Sequence, residues 1–404
     1  MSATAVNTTP PIWAGLIGQP EVTENLVRAV ADAELITRGE PGNAMTHAWL
    51  ITGPPGSGRS TAATFFAAAL VCPENGCGVC KACRTAPMGG HSDVEVIIPE
   101  GIVYSIEDTR ELVRRSSMSP VEAPWRVIVI EDADRLGERA VNVLLKSLEE
   151  PTPHTVWVLC APSTEDVLPT IRSRTRHVGL RTPSTKDVAG LLSANYSVDP
   201  VIAGFAARAA QGHIGRARAL ARDEGVRTRR QTILRIPLNL RDVPSCFISA
   251  QELLESATED ADSITEPLEV VEAEQLNASF GVDEGIRLKG QLRRSHEAAK
   301  KELAKRQKSR RTRTVRDQVD RALIDLMGLY RDVFIVQMDS GVDLINEEML
   351  PQVQRIAAGS TAEETAMRMQ AITHARSSVL AGVAPIAALE ALMVELKDPR
   401  LRAA

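Results

Sequence analysis

A glycine-rich turn, set between an apolar run and a segment of helical composition, most constrains how this chain can fold. The apolar run is 48–51 and the helical segment is 61–70. The turn matches the spacing G-x-x-x-x-G-K-[ST], except that an arginine holds the lysine position. In such a turn, glycines let backbone N–H groups converge on phosphate oxygens, and the following helix adds partial positive charge from its N-terminus. The pattern predicts a phosphate-binding loop formed by Gly53, Pro54, Pro55, Gly56, Ser57, Gly58, Arg59 and Ser60.

The arginine at position 59 bears on what this loop does. Lysine is a compact point charge that can lie along the β- and γ-phosphates, whereas arginine is a broad planar fork that keeps the charge but crowds the pocket. We favour the hypothesis that the loop is retained for folding and binds nucleotide weakly or not at all. The alternative is a nucleotide site with poor hydrolysis. In either, the helix is expected to start near Ser57, and Ser60 would place a hydroxyl on Mg²⁺.

Length and charge bound the class of protein. A chain of 404 residues is too long for one core and predicts two or three domains. The net charge of −5 gives no overall attraction to nucleic acid, so any such contact needs a local basic patch. Because no run of about 18 apolar residues occurs and the start lacks a basic, then apolar, export pattern, we predict a cytoplasmic protein that does not enter a membrane.

Four of the six cysteines fall within residues 72–83. Clustered cysteines in a cytoplasmic chain indicate metal rather than disulfides. Gly76 and Gly78 allow the tight turns that overlapping C-x-x-C pairs need, and Lys81 and Arg84 would offset the charge of four thiolates. We predict a closed, structural zinc site; the alternative is a group of four buried or redox-active thiols. The predicted ligands are Cys72, Cys77, Cys80 and Cys83.

A second apolar run, 125–130, ends in Glu131 and Asp132. Its β-branched residues predict a buried parallel strand, and ligands of open α/β sheets bind at the carboxyl ends of such strands. Carboxylates at this position hold Mg²⁺ and polarise water in phosphate-binding-loop proteins. The usual order is Asp then Glu. Here the order is reversed, so the metal ligand is one carbon too long and the base one carbon too short.

Strand-like and helix-like segments alternate through residue 180. This alternation predicts an α/β domain with a parallel sheet covered on both faces. A helical unit is expected next, with Thr185 capping its first helix and a second helix at 200–210. The rest of the chain, from about 229, is predicted to be helical, with separate packed helices at 322–336, 349–358, 362–380 and 385–396.

The order of these features resembles that of a known family. The glycine-rich loop, the four-cysteine insert, the strand ending in two acids, the segment NVLLKSLEEP at 142–151 and the triplet Ser173-Arg174-Thr175 follow one another. In this order they resemble the clamp-loader branch of the AAA+ ATPases, and within it the delta-prime type of bacterial subunit. The resemblance covers about 1–225 well and the remainder weakly, and 142–151 is its most specific part.

The resemblance implies a role for Arg174. In that family the arginine of the triplet is an arginine finger, which reaches into the ATP site of the neighbouring subunit. A guanidinium there stabilises the charge that grows on the γ-phosphate during transfer. Thr175 stands where the family has Cys. Without the family, Arg172, Arg174 and Arg176 would be interpreted as a solvated basic turn.

The resemblance also exposes a third departure. Active members use an arginine, called sensor 2, to contact the phosphates of their own subunit. The aligned position here is Gly215, and Arg216 or Arg218 would be out of register. Together with Arg59 and the reversed acids, this change predicts a subunit that does not hydrolyse ATP itself, while Arg174 serves a neighbour.

The expected function follows from the resemblance. We expect a stator that joins gamma/tau and delta subunits in a hetero-pentamer and helps load the sliding clamp onto primed DNA, with structural Zn²⁺ and without hydrolysis of ATP/Mg²⁺. The alternatives are an ATP-hydrolysing motor subunit of the tau/gamma type, another AAA+ remodeller, and a scaffold that uses the fold only for assembly. The expected domains are an AAA+ domain at 1–180 with its cysteine module at 72–83, a helical lid at 181–228 and a helical collar at 229–404.

Two charged stretches lie in the expected collar. Residues 254–274 are acid-rich, and residues 287–316 are strongly basic and lack proline. The basic stretch predicts a long helix with a positive flank. This flank could contact a DNA backbone or form a solvated face balanced by the acidic stretch. Because no aromatic residues are interleaved with the basic ones, we favour the solvated face.

Overall fold

The computed structural model describes residues 9–99, 101, 103–282 and 290–402. Within them the chain forms two compact units. The N-terminal unit extends to Ala221, and the C-terminal unit, apart from a short segment near residue 101, begins at Arg222. The first eight residues of the chain, and 287–289 of the predicted basic helix, lie outside the described residues. The finer division at 180 and 228 stays a prediction.

A five-stranded parallel sheet forms the centre of the N-terminal unit. The strands are β1 (Ala48–Thr52), β2 (Val94–Ile97), β3 (Arg126–Ile130), β4 (Thr155–Ala161) and β5 (Arg176–Gly179). They lie in the order β2-β3-β4-β1-β5. Thr52 lies beside Ala161, and Ile130 beside Leu159. The glycine-rich turn after β1 and the acids after β3 therefore emerge at the same, carboxyl, edge of the sheet, and the predicted parallel sheet is confirmed.

Apolar side chains cover both faces of this sheet, because successive residues of a strand point to opposite sides. Trp49 packs edge-on against Phe66 in one apolar cluster, with ring centroids 5.1 Å apart. Leu50, Ile128 and Leu144 belong to a second cluster. The helices of this unit are α1 (Pro20–Thr37), α2 (Arg59–Val71), α3 (Lys81–Thr85), α4 (Ile106–Ser116), α5 (Glu138–Glu149), α6 (Pro169–Arg172), α7 (Thr185–Tyr196), α8 (Pro200–Ala210) and α9 (Ile214–Arg222).

The cap predicted for the first helix after the sheet is wrong. Thr185 is the first residue of α7, and Ser184 is its cap: the Ser184 Oγ accepts a hydrogen bond from the backbone N–H of Asp187 at 3.1 Å. Ser184 has the extended backbone typical of a residue that caps a helix, and its side chain reaches the N–H three positions later.

The C-terminal unit is helical in all the elements that the structure describes beyond residue 222, as predicted. Its long helices are α10 (Glu224–Asn239), α11 (Val243–Ser279), α12 (Gly290–Met338), α13 (Leu350–Ala358), α14 (Ala362–Leu380) and α15 (Pro385–Lys397). The separate helix predicted to begin at Ala322 is wrong, because α12 runs through that position. No proline or glycine interrupts 317–321, so nothing stops the helix there.

The basic half of α12 lies along the acidic helix α11. Arg310 donates to Glu272 at 2.5 and 2.8 Å, and Arg311 donates to Asp262 at 2.6 and 2.8 Å. The pairing runs in opposite directions along the two helices, which are therefore antiparallel. No residue from 290 to 317 is buried, whereas α12 enters the core from Gln318 onward. These ion pairs agree with a basic face that is partly balanced by the acidic stretch.

Among the described residues, every helix is either too short or too polar to span a lipid bilayer.

Candidate functional site

The glycine-rich loop is tied to the end of β4. The Gly53 N–H lies 3.3 Å from the Ala161 carbonyl and 3.2 Å from the Pro162 carbonyl. Gly56 and Gly58 adopt φ values of +80° and +97°, which glycine reaches without the strain that a side chain would cause. Helix α2 begins at Arg59, two residues after the predicted start. The loop therefore occupies the carboxyl edge of the sheet and leads directly into a helix N-terminus.

Ser60 and Glu131, the two residues predicted to meet at a magnesium ion, lie in direct contact. The Ser60 hydroxyl donates to Glu131 Oε2 at 2.7 Å. The following acid has a different environment: Asp132 adopts φ +48°, and its Oδ2 lies 3.7 Å from Nε of Arg135. The hydroxyl of Tyr104 holds the strand end by donating to the Glu131 carbonyl. The two predicted acids are thus adjacent in sequence but separate in their side-chain contacts.

Arg59 lies at this carboxyl edge, and its guanidinium lacks a complete set of hydrogen-bond partners among the described residues. Its Nη1 is buried and has no hydrogen-bond partner among the described residues. The guanidinium is within electrostatic reach of Asp134 and of the Cys160 thiol. Burial, assisted by the negative charge of Asp132, raises the pKa of Asp134 above its ordinary value. Asp134 was missed from the sequence, although it is the third acid in Glu-Asp-Ala-Asp.

A histidine from the helical segment after the sheet lies against the loop. A Cβ atom added to Gly56 would stand 2.2 Å from Cγ and 2.4 Å from Cα of His213. The Ile214 N–H donates to the Gly56 carbonyl at 3.2 Å. Gly215, the aligned sensor 2 position, has the His213 ring as its nearest neighbour, 3.4 Å from an added Cβ. His213 was also not among the predicted site residues. The signal in the sequence that could have identified it is its position between Gly212 and Gly215.

A buried glutamine joins the loop to the end of the sheet. Gln19 is 3% exposed. Its side chain donates to the Arg181 carbonyl at 2.6 Å and to the Ser57 carbonyl at 3.5 Å, and it accepts from the Arg181 N–H at 3.2 Å. The hydroxyl of Ser57 is itself buried without a partner among the described residues. Gln19 therefore holds the backbone of the loop in place, a role that the sequence analysis did not assign.

Arg174 lies at the opposite edge of the sheet from the glycine-rich loop. It precedes β5, whose four residues run parallel to β1 with Trp49 beside Arg176 and Thr52 beside Gly179. The strand separates the two edges by about 13 Å. Arg174 Nε donates to Glu149 Oε1 at 2.5 Å, and Nη1 donates to the Thr170 carbonyl at 2.8 Å. Glu149 belongs to the family-specific segment 142–151.

The neighbouring basic residues have other environments. Arg172 is exposed, and its Nη1 lies 3.5 Å from the Thr164 carbonyl. Arg176 stacks over Trp49, with its guanidinium carbon 5.5 Å from the ring centroid. The Thr175 hydroxyl donates to the Ile171 carbonyl at 3.1 Å, so the residue that replaces the family cysteine helps to close the turn. The three arginines therefore have different contacts, although each of them is at least partly exposed.

The four clustered cysteines converge on one point. The possible ligand atoms of Cys72, Cys77, Cys80 and Cys83 all lie within 4.8 Å of one another. The sulfur of Cys72 is 3.7 Å from that of Cys77 and 3.7 Å from that of Cys80. Zn–S bonds of 2.3 Å in a tetrahedron place sulfur atoms about 3.8 Å apart. The donor set and its spacing therefore fit a four-coordinate metal ion.

Backbone groups of the cysteine module point at the sulfurs. The Cys80 N–H lies 3.3 Å from the Cys77 sulfur, and the Cys83 N–H lies 3.4 Å from the Cys80 sulfur. Hydrogen bonds from Val79 and Cys80 lower the pKa of Cys77 to about 7, whereas burial raises the pKa of Cys80 and Cys83. Such N–H groups support thiolate ligands from outside the coordination sphere.

The glycines of the module are required by close packing. Gly76 has φ +106°, and a Cβ there would lie 2.8 Å from the Ile12 side chain. The Ile12 N–H donates to the Gly76 carbonyl at 3.2 Å. The module is thus attached to the N-terminal segment of the same unit. A bound ion would hold together the parts of the module that carry the four cysteines.

Comparison with known proteins gives the same assignment for part of the chain. A family model described as "DNA polymerase III, delta subunit" matches residues 33–184. The gamma/tau subunit of DNA polymerase III from Mycobacterium bovis is 33% identical over 189 residues, which cover 46% of this chain and 31% of that protein. The delta' subunit from Pseudomonas aeruginosa is 37% identical over 134 residues, 32% of this chain and 41% of that protein.

The similarity is regional. The matched region spans about a third of the gamma/tau relative and two fifths of the delta' relative. A solved DNA polymerase III gamma-subunit-related protein from Thermotoga maritima aligns over 91% of this chain and 99% of its own, with 16% identity and a TM-score of 0.41. Over residues 33–184, this chain therefore resembles the clamp-loader-branch subunits of DNA polymerase III.

Proposed function

We propose that this chain is a delta-prime-like clamp-loader subunit that acts as a stator and supplies Arg174 to the ATP site of a neighbouring subunit. The position of Arg174 carries the proposal. It lies at the amino edge of the parallel sheet, whereas the chain's own glycine-rich loop lies at the carboxyl edge. An arginine at this edge is too far from its own loop to contact a nucleotide there, but it is available to another subunit.

The partners of Arg174 favour such a role. Glu149 and the Thr170 carbonyl hold the guanidinium in one orientation, so little conformational entropy is lost when it meets a phosphate. The side chain keeps about a third of its surface exposed, at 32%. In the assembled complex the guanidinium would stabilise the negative charge that spreads over the transferring γ-phosphoryl group.

The chain's own loop is proposed to bind nucleotide weakly and not to hydrolyse it. Ser60 already donates to Glu131, so a metal ion must displace that hydrogen bond. Arg59 brings a planar group where a lysine ammonium is usual, and Gly215 offers no side chain to the phosphates. These features support a loop kept for its shape, with ATP and Mg²⁺ as weak ligands.

The cysteine module is proposed to bind one structural Zn²⁺. When bound, the ion would cross-link the segment after α2 to α3 through Cys72, Cys77, Cys80 and Cys83. Four thiolates leave no open coordination position, so the ion has a stabilising and not a catalytic role.

The proposed partners are the gamma/tau and delta subunits of a hetero-pentamer, with the sliding clamp and primed DNA contacted through the complex. A motor subunit of the tau/gamma type is the second candidate, because a gamma/tau subunit is among the relatives at 33% identity. The two candidates differ in one measurable property, which is whether the isolated chain hydrolyses ATP.

The test uses the isolated chain and the reconstituted loader. The isolated chain is expected to show negligible ATP turnover, and Arg59→Lys alone is not expected to restore it, because the reversed acids and Gly215 remain. In the reconstituted loader, Arg174→Ala is expected to slow hydrolysis at the one site it completes by about 10³-fold. In a single-turnover measurement, the variant loader should therefore release one γ-phosphate per complex fewer in the fast phase than the unaltered loader.

Arg172→Ala is the matched control, since it removes an exposed arginine two residues away. It is expected to leave phosphate release and assembly unchanged. Brisk turnover by the isolated chain would support the motor candidate instead. Full release by an assembled Arg174→Ala loader would remove the arginine-finger role.

A further inference from the structure

The C-terminal unit contains a cavity of about 240 Å³ that the function proposed above does not use. It lies where the C-terminal ends of α10, α13 and α15 meet. These ends contribute Leu238, Gly359 and Lys397 to its lining. Helices α12 and α14 complete the wall with Tyr330 and Arg368. Five helices therefore contribute to the wall of a single cavity that is open to solvent.

Three cations line this cavity, and its described lining contains no acid. The cations are Arg355, Arg368 and Lys397. Arg368 Nε donates to the Leu396 carbonyl at 2.8 Å, but its Nη1 is buried with no hydrogen-bond partner among the described residues. Asp242 and Glu364 influence Lys397 and Arg368 electrostatically without lining the cavity.

The helix ends do not cancel this charge. Each helix C-terminus carries about half a negative charge, so three of them contribute roughly −1.5. Three cationic side chains contribute twice as much positive charge. The cavity is therefore net positive, and the unpartnered Arg368 Nη1 is a donor that an anion can satisfy.

Size and wall chemistry indicate what kind of anion fits. At about 30 Å³ per water molecule, the volume corresponds to roughly eight waters, which suits a small molecule and not a polymer. Leu238, Leu240, Ile356 and Leu396 supply an apolar part of the wall. Arginine forks bind phosphate oxygens in pairs, and a phosphate dianion meets several cations better than a carboxylate does.

We propose that this cavity binds a small organic phosphate, with the phosphate between Arg368 and Lys397 and the organic group against the leucine wall. The ligand would contact side chains from five helices. Binding to the folded unit therefore raises its thermal stability, and the gain grows with the logarithm of ligand concentration once the site is saturated.

The test uses the full chain, phenyl phosphate as the probe and benzoate as its carboxylate counterpart, at constant ionic strength. Calorimetric titration is expected to give binding of phenyl phosphate that weakens about tenfold or more in Lys397→Gln and in Arg368→Gln. Lys305→Gln, which removes an exposed lysine from the same unit, is expected to keep the affinity within about twofold. Arg59→Met, which alters the glycine-rich loop, is expected to do the same.

Lys397→Gln keeps the test valid if Arg368→Gln fails to fold, because Lys397 makes no hydrogen bond or ion pair with the described residues. An affinity lost in Arg59→Met and kept in Lys397→Gln would assign the binding to the N-terminal unit and overturn the proposal. Equal affinity for benzoate, or no detectable binding of phenyl phosphate to the unaltered chain, would overturn it as well.

Discussion

Arg59 of the N-terminal unit and Arg230 of the C-terminal unit both place guanidinium nitrogens away from solvent, but their surroundings differ. Arg230 is 3% exposed. It donates from Nε to Asp325 at 3.0 Å and from Nη1 to Glu348 at 3.3 Å, and its Nη2 donates to Asn346. Arg59 Nη1 has no partner among the described residues.

The difference shows that a buried arginine can have its hydrogen bonds completed within the chain or left incomplete. In the helical unit, the polar groups around Arg230 satisfy one another, and Asp332 extends the network by accepting from both nitrogens of Asn346 at 2.8 Å. A complete network stabilises one arrangement of helices. At the carboxyl edge of the sheet, by contrast, Arg59 Nη1 and the Ser57 hydroxyl are buried without a hydrogen-bond partner among the described residues.

The largest expected effect concerns the cysteine module, which is proposed to depend on a metal ion from outside the chain. Purified protein is expected to contain about one zinc per chain by elemental analysis, and the double variant Cys80→Ser, Cys83→Ser is expected to contain none. All four tryptophans lie in the N-terminal unit. Tryptophan fluorescence should therefore report earlier unfolding of that unit after chelation, by several kcal/mol.

Cys246→Ala is the control for this experiment, because Cys246 is a buried cysteine of the helical unit, outside the module. Its metal content is expected to match that of the unaltered chain. A metal-free protein with unchanged stability would show that the N-terminal unit is self-sufficient, and the contrast between the units would fail.

The next effect concerns the helical unit, where the partners lie inside the chain. Asp325→Ala removes the buried one of the two carboxylates that pair with Arg230 and is expected to cost about 3–5 kcal/mol of unfolding free energy. Chemical denaturation followed by circular dichroism measures this loss. Glu302→Ala, which removes an exposed ion pair from the same helix, is expected to cost less than about 1 kcal/mol. Equal losses of unfolding free energy in Asp325→Ala and Glu302→Ala would contradict the claim that the buried ion pair of Arg230 matters more than an exposed one.

A smaller effect is expected at Asp93, a buried carboxylate of the N-terminal unit whose hydrogen-bond partners lie within the chain. Asp93 accepts backbone hydrogen bonds from Val121, Glu122 and Ala123 at 2.6, 2.7 and 2.9 Å. Burial by itself would raise the pKa of Asp93, but these hydrogen bonds together outweigh it and the pKa is lowered. Asp93→Asn is expected to cost about 1–3 kcal/mol at neutral pH.

The sign of the pH dependence follows from this lowered pKa. The stabilisation is complete above the unfolded value of 3.8 and is lost as pH falls through the lower folded value. The difference between the unaltered chain and Asp93→Asn should therefore be constant near pH 6 and shrink below about pH 4. A difference that stays constant down to pH 3 would exclude the proposed linkage.

The smallest effect is expected at Arg59. Because its Nη1 has no partner to lose, Arg59→Met is expected to change the unfolding free energy by less than about 1 kcal/mol in either direction. Fluorescence-monitored denaturation measures it, with Arg230→Met as the paired variant. A loss as large as that of Arg230→Met would mean that Arg59 stabilises the fold in the same way.

The sequence was most informative where the signal is local. The glycine spacing, the four cysteines, the strand before Glu131 and the helix at 200–210 are each defined by neighbouring residues, and the structure contains each element. The misplaced cap at Thr185 and the split of α12 are errors at element boundaries. Those depend on backbone geometry at one or two residues, which composition does not specify.

The sequence by itself determined the parallel α/β sheet, the convergence of Ser60 and Glu131 on one edge, and the cysteine group, because periodicity and short spacing encode them. Only the tertiary structure decided that His213 lies on Gly56, that Glu149 holds Arg174, and that three helix ends meet at a cationic cavity. Those contacts join residues far apart in the chain. Their partners are selected by how whole helices pack, and a linear pattern does not record that packing.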